Sequence, residues 1–528
     1  MSAGLDQAGL LRLFGADEAA LPELLAYDVP LLSVETARGV EIPAADEAHL
    51  VAWSSYLAEA GEIGLLPALC RRLPQLRFPV RPGMSEVESY RAATRRGVFP
   101  EEGDPEATGL PLRRPEGVTL TLHPTLAGRV PVLVANDRRD FESLVRALSA
   151  RNEPVAVPTS MGACLVKGFN NWDRLNSFRA RWEAEHPDGE WDEAWPGIVA
   201  KKELYEDRFV ILSSGPYSGI PAADAGFRED EWADLSLRIR RDHEATHYLT
   251  LRTAGLSRNN LLDEVLADWV GLLRTFGRYR EDLALLFLGL ERFPAYRDGA
   301  RLENYRGKPP LGETAFEVVK RLARAAIANL ATLDSDAPPG TRDGAVLARR
   351  LLLLASQPLV SLAALDFPAR AAALLPPPPA VLSLELSPDL EEVARAGEAF
   401  EAFAAGEGLA AEWVSGLRVV LDEVLSNVVK YAFGSGERPP IGLKVVLFEG
   451  LLEIILSDSG RTFDPLARPD PAVTAPLSER PVGGLGILLV KRLTDAQAWE
   501  RRGDRNVLFL RRRVGPRPGR PSSEARSG

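Results

Sequence analysis

Apolar positions recur every three to four residues through most of this chain and alternate strictly only in short runs. The clearest helical stripe lies at 412–433, where Leu417, Val420, Leu421, Val424 and Val428 share one face. Two alternating runs follow, 441–448 and 451–457, and Glu449-Gly450 between them predicts an antiparallel hairpin. Residues 381–386 (VLSLEL) predict a strand, and 487–493 a short apolar helix behind a glycine-rich turn. Upstream, 118–122, 130–135 and 209–213 (FVILS) read as strands, 229–290 as three helices in quick succession, and 312–366 as further helices. Residues 1–117 mix short helical patterns with proline-broken loops, and no internal repeat is visible.

Four consecutive prolines at 376–379 are stiff and extended, and act as a spacer. The expected division is therefore 1–117 with no assigned role, 118–370, a linker at 371–380, a unit at 381–513, and a tail at 514–528 rich in Pro, Arg and Ser and expected to be disordered. A length of 528 residues suits about three or four domain-sized units, and 45% hydrophobic with 26% charged residues suits ordinary packed cores. Sixty-three basic against 74 acidic side chains give a net charge of −11, a field that repels phosphate and argues against nucleic acid and anionic membranes as partners. The two cysteines, Cys70 and Cys164, provide neither a disulfide framework nor a cysteine-rich zinc module. The start lacks a basic segment followed by an apolar run, and the most apolar stretch, 351–365, is broken by Ser356, Gln357 and Pro358, so a cytoplasmic protein is expected.

Candidate chemistry begins on the 412–433 helix. Glu423, Asn427 and Lys430 fall within about a 60° arc beside the apolar stripe. A carboxylate can take a proton there, and an amide oxygen can ligate Mg²⁺, although a Glu and an Asn at this spacing are also common on solvated faces. The second hairpin strand ends at Asp458-Ser459-Gly460. An aspartate at a strand end can accept from an exocyclic amine, and the glycine lets the chain turn closely over a base. Gly483, Gly484 and Gly486 open the last helix and leave backbone N–H groups free for phosphate.

In this order, the three motifs resemble the ATP-binding fold shared by gyrase, the ninety-kilodalton heat-shock chaperones, histidine kinases and mismatch-repair ATPases, an α/β two-layer sandwich. The resemblance covers about 380–513, with 506–511 similar to the closing strand. Phe463-Asp464-Pro465 makes it most similar to the anti-sigma-factor serine kinases. All five histidines lie at or before 247, so no phosphoacceptor histidine directly precedes the domain. The resemblance implies Mg-ATP as cofactor, Glu423 as general base, Asn427 as Mg²⁺ ligand, Asp458 on adenine, and Gly460, Gly484 and Gly486 shaping the phosphate pocket. Lys430 either pairs with phosphate or is a solvated lysine, and Tyr431 stands where many relatives carry histidine. The implied partner is an anti-sigma antagonist or a sigma-like factor.

A second constellation is Asp242-His243-Glu244-Ala245-Thr246-His247. One helical turn separates the two imidazoles, the spacing for one Zn²⁺, with Glu244 placed to activate a water. Gly255 ends this helix, and Ser257 is the expected cap of the next, 259–276. If the two fold back antiparallel, Glu264 returns to the level of His247 and Asp268 to that of His243, both pairs being centred on 255.5. Glu264 then completes a His₂Glu site and Asp268 orients His243. This resembles the gluzincin metallopeptidases, and implies that 209–213 is the edge strand that pairs with substrate. Arg238, Arg240 and Arg241 read as a solvated face, and Trp172, Trp182, Trp191 and Trp195 as core or rim. Gly168–Asp173 and Ser214–Gly219 are distinctive but carry no assignable chemistry.

The expected whole is a multidomain protein in which an α-rich α+β half with a zincin-like helix pair precedes an ATP-dependent serine/threonine kinase domain. Two alternatives stand beside it. One is a zinc metalloprotease with a nucleotide-sensing domain, and the other a non-catalytic module that sequesters a sigma-like factor.

Overall fold

The computed structural model describes residues 5–255, 260–342, 344–434, 438–467 and 485–515. The chain forms two units: Met1–Asp336 with Ala348–Leu375, and Ala337–Leu347 with Pro376–Gly528. No described helix is long and apolar enough to cross a membrane.

The first unit is built on a four-stranded sheet of β1 (Val118–Thr125), β2 (Gly128–Ala135), β3 (Ala163–Asn170) and β4 (Glu206–Ser213), in the order β1-β2-β4-β3. β2 and β4 run parallel, and the other pairs are antiparallel. Helices α1 (Leu50–Ile63), α2 (Leu65–Arg72) and α3 (Arg138–Ser149) pack on one face, where Trp53, Tyr56, Leu69, Phe141 and Leu144 meet Leu133, Phe209 and Ile211. Helices drawn from the first 117 residues thus share a core with the sheet that follows. Phe209, Val210, Ile211 and Leu212 are all buried, so both faces of β4 are covered. That is the signature of an inner strand, and β4 does lie between two neighbours. The expectation that 209–213 forms the edge is therefore corrected: the edge beside it is β3. A bulge at Gly168 interrupts β3 and hid its alternation.

Asn171, just beyond β3, donates to the buried Asp207 carboxylate at 2.7 Å, and Trp53 Nε1 donates to it at 2.8 Å. The 168–173 motif therefore seats a strand-to-helix junction. The tryptophans beyond it cluster on two helices, with Trp191 packed on Phe178, Trp182 and Trp195.

Helix α4 (Glu229–Ala254) lies against the sheet and ends at Gly255, whose φ of +69° suits a residue without a Cβ. Helix α5 (Leu261–Phe276) packs along α4 and is capped by Asn260, whose side chain accepts from Asp263 N at 3.0 Å. Ser257, the expected cap, lies outside the described residues. The crossing is close: a Cβ on Gly271 would stand 2.8 Å from the Ile239 carbonyl oxygen. Arg240 is buried rather than solvated, a second correction. Its guanidinium donates to the carbonyls of Ser213, Gly215 and Pro216 and pins the loop after β4.

The second unit has a five-stranded antiparallel sheet of β5 (Ala380–Leu386), β6 (Ile441–Phe448), β7 (Leu451–Asp458), β8 (Ala496–Arg502) and β9 (Arg505–Arg513), in the order β5-β6-β7-β9-β8. Helices α6 (Leu390–Gly406), α7 (Ala411–Tyr431) and α8 (Leu485–Leu493) accompany it. Phe400, Leu417, Val420, Leu421, Val424 and Val490 from the helices interleave with Leu443, Val445, Ile454, Leu456 and Leu508 from the strands. Alternate strand residues thus form one apolar face under the helical layer. Both Glu449 (φ +47°) and Gly450 (φ +76°) are left-handed, the conformation a two-residue hairpin requires.

Candidate functional site

The stripe that docks α7 on the sheet fixes which residues border it. Glu423 and Asn427 are half-buried, one turn apart, and neither side chain makes a hydrogen bond among the described residues. Lys430 is exposed in the last turn. β7 ends at Asp458, which is buried, and its Oδ1 accepts from Gly460 N at 2.9 Å. The turn then closes on the end of α7, where Arg461 N donates to Ala432 O at 2.9 Å. A Cβ at Gly460 would stand 2.6 Å from both Ala432 O and Ala432 Cβ, so only glycine fits. Gly460→Ala is expected to cost about 1–3 kcal/mol of stability, read as a lower midpoint of thermal unfolding; an unchanged midpoint would show that the turn relaxes freely.

Nine residues back along α7, about 14 Å at 1.5 Å per residue, the start of α8 reaches the same helix. A Cβ at Gly486 would overlap the Glu423 carboxylate. α7 is therefore met at one end by the Asp458 turn and, further back, by the glycine that opens α8, and a carboxylate and an amide lie along it. Two close-packed glycines beside a carboxylate and an amide on one helix suit a nucleotide. Gly483 and Gly484 lie outside the described residues.

In the first unit, α4 and α5 bring His243, His247 and Glu264 together, their ligand atoms within 4.8 Å of one another. The two Nε2 atoms are 3.0 Å apart, and each is 3.5 Å from a Glu264 oxygen. The outer nitrogens face carboxylates: His243 Nδ1 is 2.9 Å from Asp268 Oδ1, and His247 Nδ1 is 3.0 Å from Asp263 Oδ2. A carboxylate at each Nδ1 assigns the proton there, which turns both Nε2 lone pairs inward. Burial opposes charge on His247, but Asp263 and Glu264 outweigh it and hold the imidazole well above its ordinary value. Burial likewise opposes charge on His243, and Asp268 and Glu264 reverse that. Glu264, despite burial, is held well below the usual carboxylate range by the two imidazoles.

Of the outer partners, sequence reasoning named Asp268 and missed Asp263, Tyr217 and Arg301. Tyr217, from the unassigned 214–219 loop, donates to Asp268 Oδ1 at 2.6 Å and lies 2.8 Å from His243 Nδ1. Arg301 pairs with Asp268 and donates to Tyr217 Oη at 3.1 Å. Asp263 had a local signal, since it precedes Glu264 and shares the first turn of α5, whereas Arg301 had none. Glu244 stands apart from the converging atoms, half-buried, with its charge felt by Arg240 and by Cys164 of β3.

Comparison with known proteins follows the two units. Residues 9–366 match a family model described as "Family of unknown function (DUF7005)", and residues 386–512 match the model of the histidine kinase-like ATPase domain. The chain is similar to the serine-protein kinase RsbW of Listeria monocytogenes, 28% identical over 118 residues, which is 22% of this chain and 75% of the relative. It is also similar to the serine/threonine-protein kinase BtrW of Bordetella bronchiseptica, 29% identical over 102 residues, 19% of this chain and 72% of the relative. The C-terminal unit is thus of the histidine kinase-like ATPase type, and the two matched kinases do not extend to the histidine pair.

Proposed function

The chain belongs to that family of unknown function, and we propose that its C-terminal unit binds Mg-ATP and phosphorylates a serine or threonine of a protein partner. The carrying observation is the pair of contacts along α7, with the Asp458-Gly460 turn at Ala432 and Gly486 against Glu423. They support a reading in which Asp458 serves as amine acceptor and Glu423, further back along α7, as carboxylate base. In this reading Asp458 accepts from the adenine amine, Gly460 keeps the turn close beside the base, and the glycines that open the last helix, Gly483, Gly484 and Gly486, offer backbone N–H groups to the phosphates. Asn427 holds Mg²⁺ through its amide oxygen, Lys430 pairs with phosphate, and Glu423 takes the proton of the attacking hydroxyl. The magnesium ion supplies charge neutralisation on the transferred group. Similarity to two named protein kinases supports a protein substrate, and the resemblance of the motifs to anti-sigma kinases favours an anti-sigma antagonist. Titration calorimetry on the full chain tests it. Asp458→Asn should weaken ATP at least about tenfold, the scale of a hydrogen bond to a charged group. A wild type that takes up no ATP at millimolar concentration refutes the reading.

A second reading concerns the first unit, where we infer a divalent cation, zinc by its donor set, held by His243, His247 and Glu264. Three buried carboxylates, Glu264, Asp263 and Asp268, contact the two imidazoles, and Arg301 pairs with Asp268. With neutral imidazoles the group carries an excess of two negative charges, and buried charge demands balance. Double protonation would set two N–H donors against each other across 3.0 Å, whereas a divalent cation suits the inward lone pairs. A metallopeptidase would further require Glu244 to activate water beside that cation.

A further inference from the structure

We propose that Arg501 and Asn506 aim the free oxygen of Asp458 at the base and thereby set a preference for 6-amino over 6-oxo purines; this rests on the nucleotide reading above. The three residues form a row across adjacent strands, since Asp458 of β7 stands opposite Asn506 of β9, and Asn506 opposite Arg501 of β8. All three side chains therefore leave the same face of the sheet, at its end.

The hydrogen bonds of this row have one consistent assignment. Arg501 is only a donor, and its guanidinium donates to Asn506 Oδ1 at 2.9 Å and to Gly460 O at 3.0 Å. That fixes the Asn506 amide with its NH₂ turned the other way, where it donates to Asp458 Oδ1 at 2.9 Å and to Arg461 O at 3.0 Å. Asp458 Oδ1 also accepts from Gly460 N at 2.9 Å, so this oxygen holds two donors and cannot swing. Oδ2 makes no hydrogen bond among the described residues. A carboxylate held by one oxygen presents the other as a fixed acceptor. An exocyclic amine satisfies it, whereas a 6-oxo group sets oxygen against oxygen. Were Arg501 lost, the Asn506 amide could flip and turn its own oxygen on Asp458. Arg501 and Asn506 are thus positioning residues that act through Asp458.

The test compares ATP with inosine triphosphate, which differ in the purine 6-substituent and the protonation of the adjacent ring nitrogen, by titration calorimetry on the full-length chain. Wild type should prefer ATP at least about tenfold. Asn506→Ala and Arg501→Ala should each cut that preference about fivefold or more, mainly by weakening ATP. Asp458→Asn with Asn506 intact should reverse it, because the amide oxygen stays on Gly460 N and Asn506 while the NH₂ faces the base. Damage to folding would weaken both nucleotides equally, so equal losses, or an unchanged ratio in both alanine variants, overturn the lock and leave nucleotide binding standing. A wild type that binds neither nucleotide overturns both, and thermal unfolding of each variant confirms that a folded protein was titrated.

Discussion

Glu423→Ala is expected to leave ATP affinity within about threefold of wild type and to lower the proposed phosphoryl transfer by about 10²–10⁴-fold, the range for loss of a positioned acid–base group. The split follows from geometry. Glu423 borders the apolar stripe of α7 without supporting it, makes no side-chain hydrogen bond among the described residues, and stands against the opening of α8. Removing its carboxylate empties space and unseats no partner. Glu423→Gln sharpens the measurement, since the amide keeps the shape and loses the basicity, and it should be as inactive as the alanine variant. Transfer is read as radiolabel from ATP on a co-purified protein partner, with calorimetry in parallel. Transfer at the wild-type rate in both variants would remove Glu423 from the chemistry.

On the cation reading, His247→Ala should take bound zinc from one equivalent per chain to none, read by elemental analysis of purified protein. The imidazole supplies one of three converging donors, and its loss leaves Glu264 and His243 alone. Asp263→Asn is the informative companion. Its side chain lies outside the donor set but holds His247 Nδ1, so metal affinity should fall about 10–100-fold, the usual effect of loosening an outer partner. Cobalt substitution gives a spectrum of the site that is independent of any activity. Wild-type protein that carries no metal after growth with added zinc ends the cation reading, and the inward nitrogens would then share a proton.

Local pattern made much of the architecture legible. The hairpin of β6 and β7 was readable almost residue by residue, because alternation and a two-residue turn are both short-range signals. The return of Glu264 and Asp268 to the two histidines was readable from equal rise along two helices and a terminating glycine. What escaped was set by contacts between distant segments. β3 carries Lys167 and Gly168 within it, and β8 carries charged residues along half its length, so neither looked like a strand. β4 was misplaced to an edge although its unbroken apolar run spoke for the interior. Arg240 looked solvated because charged side chains usually are, and the carbonyls that receive it belong to a loop about 25 positions earlier. Arg301 and Asn506 act on carboxylates 33 and 48 positions away, and no spacing rule anticipates them.

The tight crossing at Gly271 bears on the histidine pair through the backbone: a Cβ there would stand 3.5 Å from the backbone nitrogen of His243. Gly271 sits seven positions, two helical turns, beyond Glu264 on the same side of α5. Its missing side chain acts as a spacer of zero thickness. Any bulkier residue there would wedge the second helix outward and lengthen the reach of Glu264 toward both imidazoles, so that the spacing of the three converging side chains is set from a position with no charge and no polar side chain.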